Sequence, residues 1–184
     1  MSKPVLLSPE NTVLVAIDFQ ERLFPVMYEK EKLLRQVVKL IQGAKVLEVP
    51  VILTEQYPKG LGPTIPEVAE LLPEVKPIEK TCFSCCDAES FRDALETTGR
   101  KQVLICGIEA HICVYQTAVA LKLAGYEVQV VSDCISSRDP ENKMVSLFKL
   151  GSAEINPTTM EMALFELLKV ASGDTFKQIS NIVK

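Results

Sequence analysis

Gln102-Val103-Leu104-Ile105-Cys106-Gly107, continued by Ile108-Glu109-Ala110-His111-Ile112-Cys113, is the stretch on which the reading of the fold turns. Val103 to Cys106 is an unbroken apolar run of strand length, the pattern of a strand covered on both faces rather than one. Gly107 ends it, and a helix follows from about Ile112 to Leu123, with Gly125 as its stop. A doubly covered strand feeding a helix is half of a βαβ unit, so the pattern should recur along the chain.

It recurs in both directions. Upstream, Val13-Leu14-Val15-Ala16-Ile17 is a strand stopped by Asp18, and residues 29–48 carry apolar side chains at helical spacing from Leu33 to Leu47. Residues 49–54 form a second strand, with Pro50 near its start where a missing N–H is tolerated. Residues 55–75 read as irregular, with a short helix from Pro66 to Leu72, and Pro77-Ile78-Glu79-Lys80 as a short third strand. Residues 87–98 read as an amphipathic helix, with Asp87 as N-cap and Gly99 as its end. Downstream, residues 127–131 form strand five, and Pro140 opens a helix to about Leu150. Ala153-Glu154-Ile155 reads as strand six, Thr158 to Val170 as a helix, and the residues from Asp174 as weakly helical. Strands alternating with helices imply right-handed crossovers, hence a three-layer α/β/α fold on a parallel sheet.

The bulk properties agree with one domain over residues 1–184. The chain has 47% hydrophobic and 24% charged residues, ordinary globular proportions. Lys and Arg number 20 against 24 Asp and Glu, a net charge of -4, so the basic face that nucleic-acid binding requires is not expected. No apolar run approaches the ~20 residues of a membrane span. Met1-Ser2-Lys3-Pro4 does not read as a signal peptide, so the six cysteines read as free thiols in a cytoplasmic, reducing setting.

In open parallel sheets ligands bind beyond the carboxyl ends of the strands, at the point where strand order reverses. Asp18 stands at the end of strand one, Lys80 at the end of strand three, and Cys113 shortly after strand four. A thiol at a helix N-terminus sits in the positive end of the dipole, so the sequence predicts a Cys113 thiolate near neutral pH. A nearby carboxylate can take its proton, and a lysine can stabilise negative charge.

Five stretches carry a family resemblance. They are Ala16 to Phe24, Thr54 to Gly62, Glu79 to Ser84, Gly107 to Ala118 and Asp133 to Arg138. Spanning most of the chain in the family's order, they make the sequence similar to the isochorismatase-like cysteine hydrolases. The resemblance implies a six-stranded parallel sheet of order 3-2-1-4-5-6. It also implies a catalytic triad of Asp18, Lys80 and Cys113. The family's non-proline cis peptide would fall between Ile108 and Glu109. The N–H groups of Glu109 and Cys113 would then face a developing oxyanion.

Two departures narrow the chemistry. Nicotinamidases of this superfamily carry an Asp and two His as metal ligands after strand two. This chain reads Glu55-Gln56-Tyr57-Pro58 there and has a single histidine, His111, elsewhere. No metal site and no cofactor are therefore expected. True isochorismatases lack the nucleophilic cysteine, which this chain has. The expected activity is a metal-independent hydrolase of small amide or related C–N bonds, acting on a small molecule through a thioester. The alternatives are a vinyl-ether hydrolase of isochorismatase type and a non-catalytic oligomeric interaction protein on the same fold.

Phe19, Phe24, Tyr57, His111, Ile112 and Tyr115 are candidate pocket walls, and Gln20 and Glu55 candidate polar contacts to substrate. His111 lies two residues from Cys113, where side chains of a forming helix point apart, so a Cys-His dyad is disfavoured. Cys82, Cys85 and Cys86 lack the second cluster a zinc site would need. A homo-oligomer, dimer or larger, is expected, because relatives commonly assemble and because Phe176, Ile179, Ile182 and Val183 suggest an apolar C-terminal surface.

Overall fold

The computed structural model describes residues 6–184. Residues 1–5, which carry part of the reading against a signal peptide, lie outside it. β1 (Thr12–Ile17) and β4 (Gln102–Ile108) lie side by side at the centre of a six-stranded parallel sheet. β2 (Val51–Gln56) and β3 (Ile78–Lys80) extend it on one side. β5 (Glu127–Ser136) and β6 (Asn156–Thr158) extend it on the other, giving the order β3-β2-β1-β4-β5-β6. Successive strands leave β1 in opposite directions, so the crevice for a ligand opens between the ends of β1 and β4.

Every residue of β1 and β4 is buried, because helices cover both faces. Leu14, Ala16, Leu104 and Cys106 pack beneath α1 (Lys30–Val46), α7 (Met160–Leu168) and α8 (Gly173–Val183). Val13, Val15, Ile17, Val103 and Ile105 pack beneath α4 (Glu89–Thr97), α5 (Tyr115–Leu123) and α6 (Pro140–Ser152). Each such buried Val, Leu or Ile contributes ~1.5–3 kcal/mol. That alternation sets the strand register, and the register sets which residues stand at the strand ends.

The element boundaries depart from the sequence reading where tertiary pairing overrides local signals. Gly107 does not end β4: it continues the strand at φ 143°. A Cβ there would lie 2.5 Å from the Ile17 carbonyl oxygen, so the glycine admits a close approach of β1. β5 runs ten residues, past Ser132 and Asp133, because β4 continues to pair with it through Gly107 and Ile108. Strand six falls at Asn156–Thr158 rather than 153–155: Ile155 is a buried core residue, and the edge position tolerates Pro157.

Asp87 is not an N-cap. Ser84 caps a 3-10 turn over Cys85–Asp87, and α4 starts after Ala88. A helical turn, α2 (Pro58–Leu61), occupies part of the segment read as irregular, and α3 (Pro66–Ala69) is shorter than expected. α8 is a full helix, with Ile179 buried and Phe176, Ile182 and Val183 packed against the chain's own core. The C-terminal segment therefore does not supply the exposed apolar surface expected of it.

Candidate functional site

Asp18 follows β1 directly, in the left-handed region at φ 56° and fully buried. Its backbone N–H donates to the Thr54 carbonyl oxygen (3.1 Å) across the β1–β2 pairing. Lys80, the last residue of β3, reaches across the end of β2. Its Nζ lies 2.7 Å from Asp18 Oδ2, with both side chains wholly excluded from solvent. The ammonium also donates to Gln56 Oε1 (2.7 Å) and approaches the carbonyls of Cys82 (3.3 Å) and Phe83 (3.4 Å). Its three protons are thus taken up by four protein oxygens. Burial disfavours the ammonium, but the charge of Asp18, with Cys85 and Cys113 beside it, outweighs that and raises the Lys80 pKa.

The second carboxylate oxygen of Asp18 is held from β2: Thr54 Oγ1 donates to Oδ1 at 2.7 Å. Each oxygen keeps lone-pair capacity for one further donor.

Cys113 lies in a single π-helical turn, Ala110–Val114, between β4 and α5, and the Val114 N–H reaches back to the Glu109 carbonyl (3.3 Å). The α-helix proper begins after the thiol, at Tyr115, which weakens the helix-dipole argument. The proton affinity of Cys113 moves opposite to the sequence expectation. Burial pushes the thiol well above the free-thiol range, the Asp18 charge adds to that, and Lys80 opposes it without reversing it. At neutral pH Cys113 is a thiol facing an ion pair.

Other candidate positions divide by what their atoms touch. The Ile108–Glu109 peptide is cis. The Glu109 carboxylate accepts from Arg138 N (3.0 Å) and Nε (3.2 Å). His111 Nδ1 lies 2.9 Å from Ser137 Oγ. Ile112 and Tyr115 are half-buried against the α4–α6 core, and the Tyr115 ring lies under Lys149 Nζ at 4.5 Å. Phe19 is fully buried and packs with Phe24 in the α1-side core, ring centres 6.5 Å apart. Tyr57 is exposed.

Gln20 and Glu55 are engaged by the protein's own loop. Gln20 Nε2 donates to the Gln56 and Gly62 carbonyls, and its Oε1 accepts from Gln56 N. Glu55 Oε1 accepts from both the N–H and the hydroxyl of Thr64 at 2.7 Å. Both tie down the loop after β2.

Sequence reasoning missed Thr54, Gln56 and Cys85. Thr54 and Gln56 alternate with Glu55 at the end of β2, so a period-two reading of that strand puts them on the face opposite Glu55. Cys85 is buried, its N–H donates to Thr117 Oγ1 (2.9 Å), and burial pushes its thiol up to about 12. Among the described residues no three His, Cys, Asp or Glu side chains converge as a metal site, and all six cysteines are unpaired. Among the described residues no helix is long and apolar enough to cross a membrane.

Comparison with known proteins follows the same lines. The isochorismatase domain family matches residues 12–162. The isochorismatase domain-containing protein 2 of Danio rerio is 38% identical over 179 residues, covering 96% of this chain and 89% of its own length. The structure of the MAR1 ribonuclease from Caenorhabditis elegans has a TM-score of 0.91 at 34% identity, covering 97% of this chain and 92% of that one. The YcaC gene product of Escherichia coli, described as an octameric hydrolase of unknown specificity, shares the fold. It has a TM-score of 0.93 at 24% identity, with 99% and 91% covered.

Proposed function

The chain belongs to the isochorismatase family, and on that premise we propose that it is a metal-independent cysteine hydrolase of small amides or related C–N bonds. The observation that carries this is one buried carboxylate, Asp18, held on one oxygen by Lys80 and on the other by Thr54, bearing directly on the Cys113 thiol. A protonated thiol at rest requires its proton to leave as the sulfur attacks, and Asp18 is the acceptor in reach.

Cys113 Sγ attacks the substrate carbonyl while its proton passes to Asp18. The N–H groups of Glu109 and Cys113 hold the oxyanion; no protein acceptor takes the Glu109 N–H among the described residues. Ammonia or an amine leaves with the proton from Asp18, and water hydrolyses the thioester. Lys80, its donors already engaged, acts by pairing with Asp18 and holding it in place rather than by touching the substrate. One histidine in the chain, and no three His, Cys, Asp or Glu side chains converging among the described residues, fit chemistry without a metal.

The test is a panel of small amides, carbamoyl compounds and isochorismate, assayed for ammonia or product, with mass spectrometry of quenched protein. An acyl adduct on Cys113, and no turnover by Cys113→Ala, is the expected result. Retained turnover by Cys113→Ala would replace covalent catalysis with direct attack by water, as in vinyl-ether hydrolysis.

A second reading, cleavage of RNA, draws on the 34% identity to a protein named a ribonuclease. The net charge of -4 disfavours it, because phosphate contacts supply most nucleic-acid affinity. Salt-independent elution from an RNA column, with no cleavage of labelled RNA, would dismiss it.

A further inference from the structure

We infer that Thr54 is a positioning residue for Asp18: its hydroxyl orients the carboxylate for proton transfer from Cys113. The inference rests on the reading of Asp18 as proton acceptor.

Thr54 is fully buried in β2, opposite Ile17 in the register, which places its side chain beside the residue that follows Ile17. It holds Asp18 twice. The Thr54 carbonyl accepts from the Asp18 N–H (3.1 Å), and its hydroxyl donates to Asp18 Oδ1 (2.7 Å). A hydroxyl has one proton, and what lies behind it decides where that proton points. Behind Thr54 lies the Cys85 sulfur, 4.0 Å from Thr54 Oγ1 and oriented as a donor to it. Cys85 stays protonated, since burial pushes it up to about 12. A donor on one side of the Thr54 oxygen and a carboxylate on the other leave one arrangement, with the hydroxyl proton on Asp18.

Cys85 is fixed in turn from α5, because its N–H donates to Thr117 Oγ1, four residues beyond Cys113. The string Thr117, Cys85, Thr54, Asp18 therefore connects the helix after Cys113 to the carboxylate Cys113 faces. Lys80 supplies charge to one oxygen of Asp18 and Thr54 supplies direction to the other. Hydrogen bonding to the charged form of a buried acid favours that form, so removing the hydroxyl makes the Asp18–Cys113 pair easier to protonate.

The experiment follows the rate of Cys113 alkylation by iodoacetamide against pH, which needs no substrate. In the wild-type protein the rate falls on the acid side as the pair takes up a proton. Thr54→Val, which replaces the hydroxyl with a methyl of similar size, should move that acid limb up by about one pH unit. Thr54→Ser, which restores the hydroxyl, should return it, and Thr54→Ala should repeat the shift if the valine variant does not fold. In an Asp18→Asn background Thr54→Val should add nothing, because there is no carboxylate to act on. A merely structural role would lower the melting temperature and leave the limb in place. An acid limb in Thr54→Val that coincides with wild type, while Asp18→Asn moves it to lower pH, overturns the inference alone. In Asp18→Asn the rate should follow the thiol's own ionisation at lower pH, and a limb left at the wild-type position there overturns the reading of Asp18 and the inference with it.

Discussion

Lys80 Nζ and Asp18 Oδ2 meet at 2.7 Å at the end of the sheet, both side chains without solvent contact. The two residues are 62 positions apart, and β2 lies between their strands. A buried ion pair is weak evidence for stability, since desolvating two charges can cost as much as their attraction returns. Breaking one partner away is different, because it leaves an uncompensated charge in the core.

Lys80→Ala should therefore fail twice. It should cost ~3–5 kcal/mol of stability by stranding the Asp18 charge, and it should cut turnover strongly. Denaturant unfolding and steady-state kinetics check the two separately. A variant as stable as wild type would show that solvent or another group already compensates Asp18.

Asp18→Asn should lower turnover by ~10²–10⁴-fold, the usual scale for loss of a positioned acid–base group. It should also shift the Cys113 thiol titration to lower pH. The carboxylate charge is among the causes that hold the thiol up, and Lys80, which pulls it down, remains. Thiolate ultraviolet absorbance, read as the difference from Cys113→Ala, measures the midpoint. A midpoint that stays or rises would contradict the arrangement of charges.

The buried thiols predict an alkaline loss of stability. Burial raises Cys85 to about 12 and Cys86 to about 11 from a usual 9.0. It likewise raises Cys106 and Cys134, each in first place among the causes. A group whose pKa is raised in the folded state contributes stability that is complete below its unfolded pKa and is lost as pH rises towards the folded one. The urea midpoint should hold to about pH 9 and fall from there towards pH 11–12, by up to ~1.4 kcal/mol per pH unit for each thiol. A midpoint unchanged between pH 8 and 11 would sink this.

A dimer or larger assembly is expected, on a different surface from the one the sequence suggested. α6 exposes Met144 (64%), Val145 (52%) and Phe148 (77%), whereas the C-terminal helix packs on its own core. Light scattering across micromolar concentrations should give a mass above one chain, and Phe148→Glu should lower it. A monomeric mass for the wild-type chain would refute the expectation.

The layer architecture was legible in the sequence because its causes are local. Unbroken apolar runs at 13–17 and 103–106, helical spacing between them and glycines at the helix stops are read within a few residues. Asp18, Lys80 and Cys113 stood out for the same reason: polar residues that close or follow apolar strands. The sheet order came from family resemblance. What those residues touch was decided only by tertiary structure. The length of β5 and the place of β6 depend on pairing with a neighbour, which no local window contains. Gln20 and Glu55 looked available for substrate until the loop from Gly62 to Thr64 closed on them. The direction of the Cys113 shift reversed for the deepest reason. A helix position is visible in sequence, but burial and the distances among residues 18, 54, 80 and 113 exist only once the chain has brought them together, and in a low-dielectric interior those distances set where the proton resides.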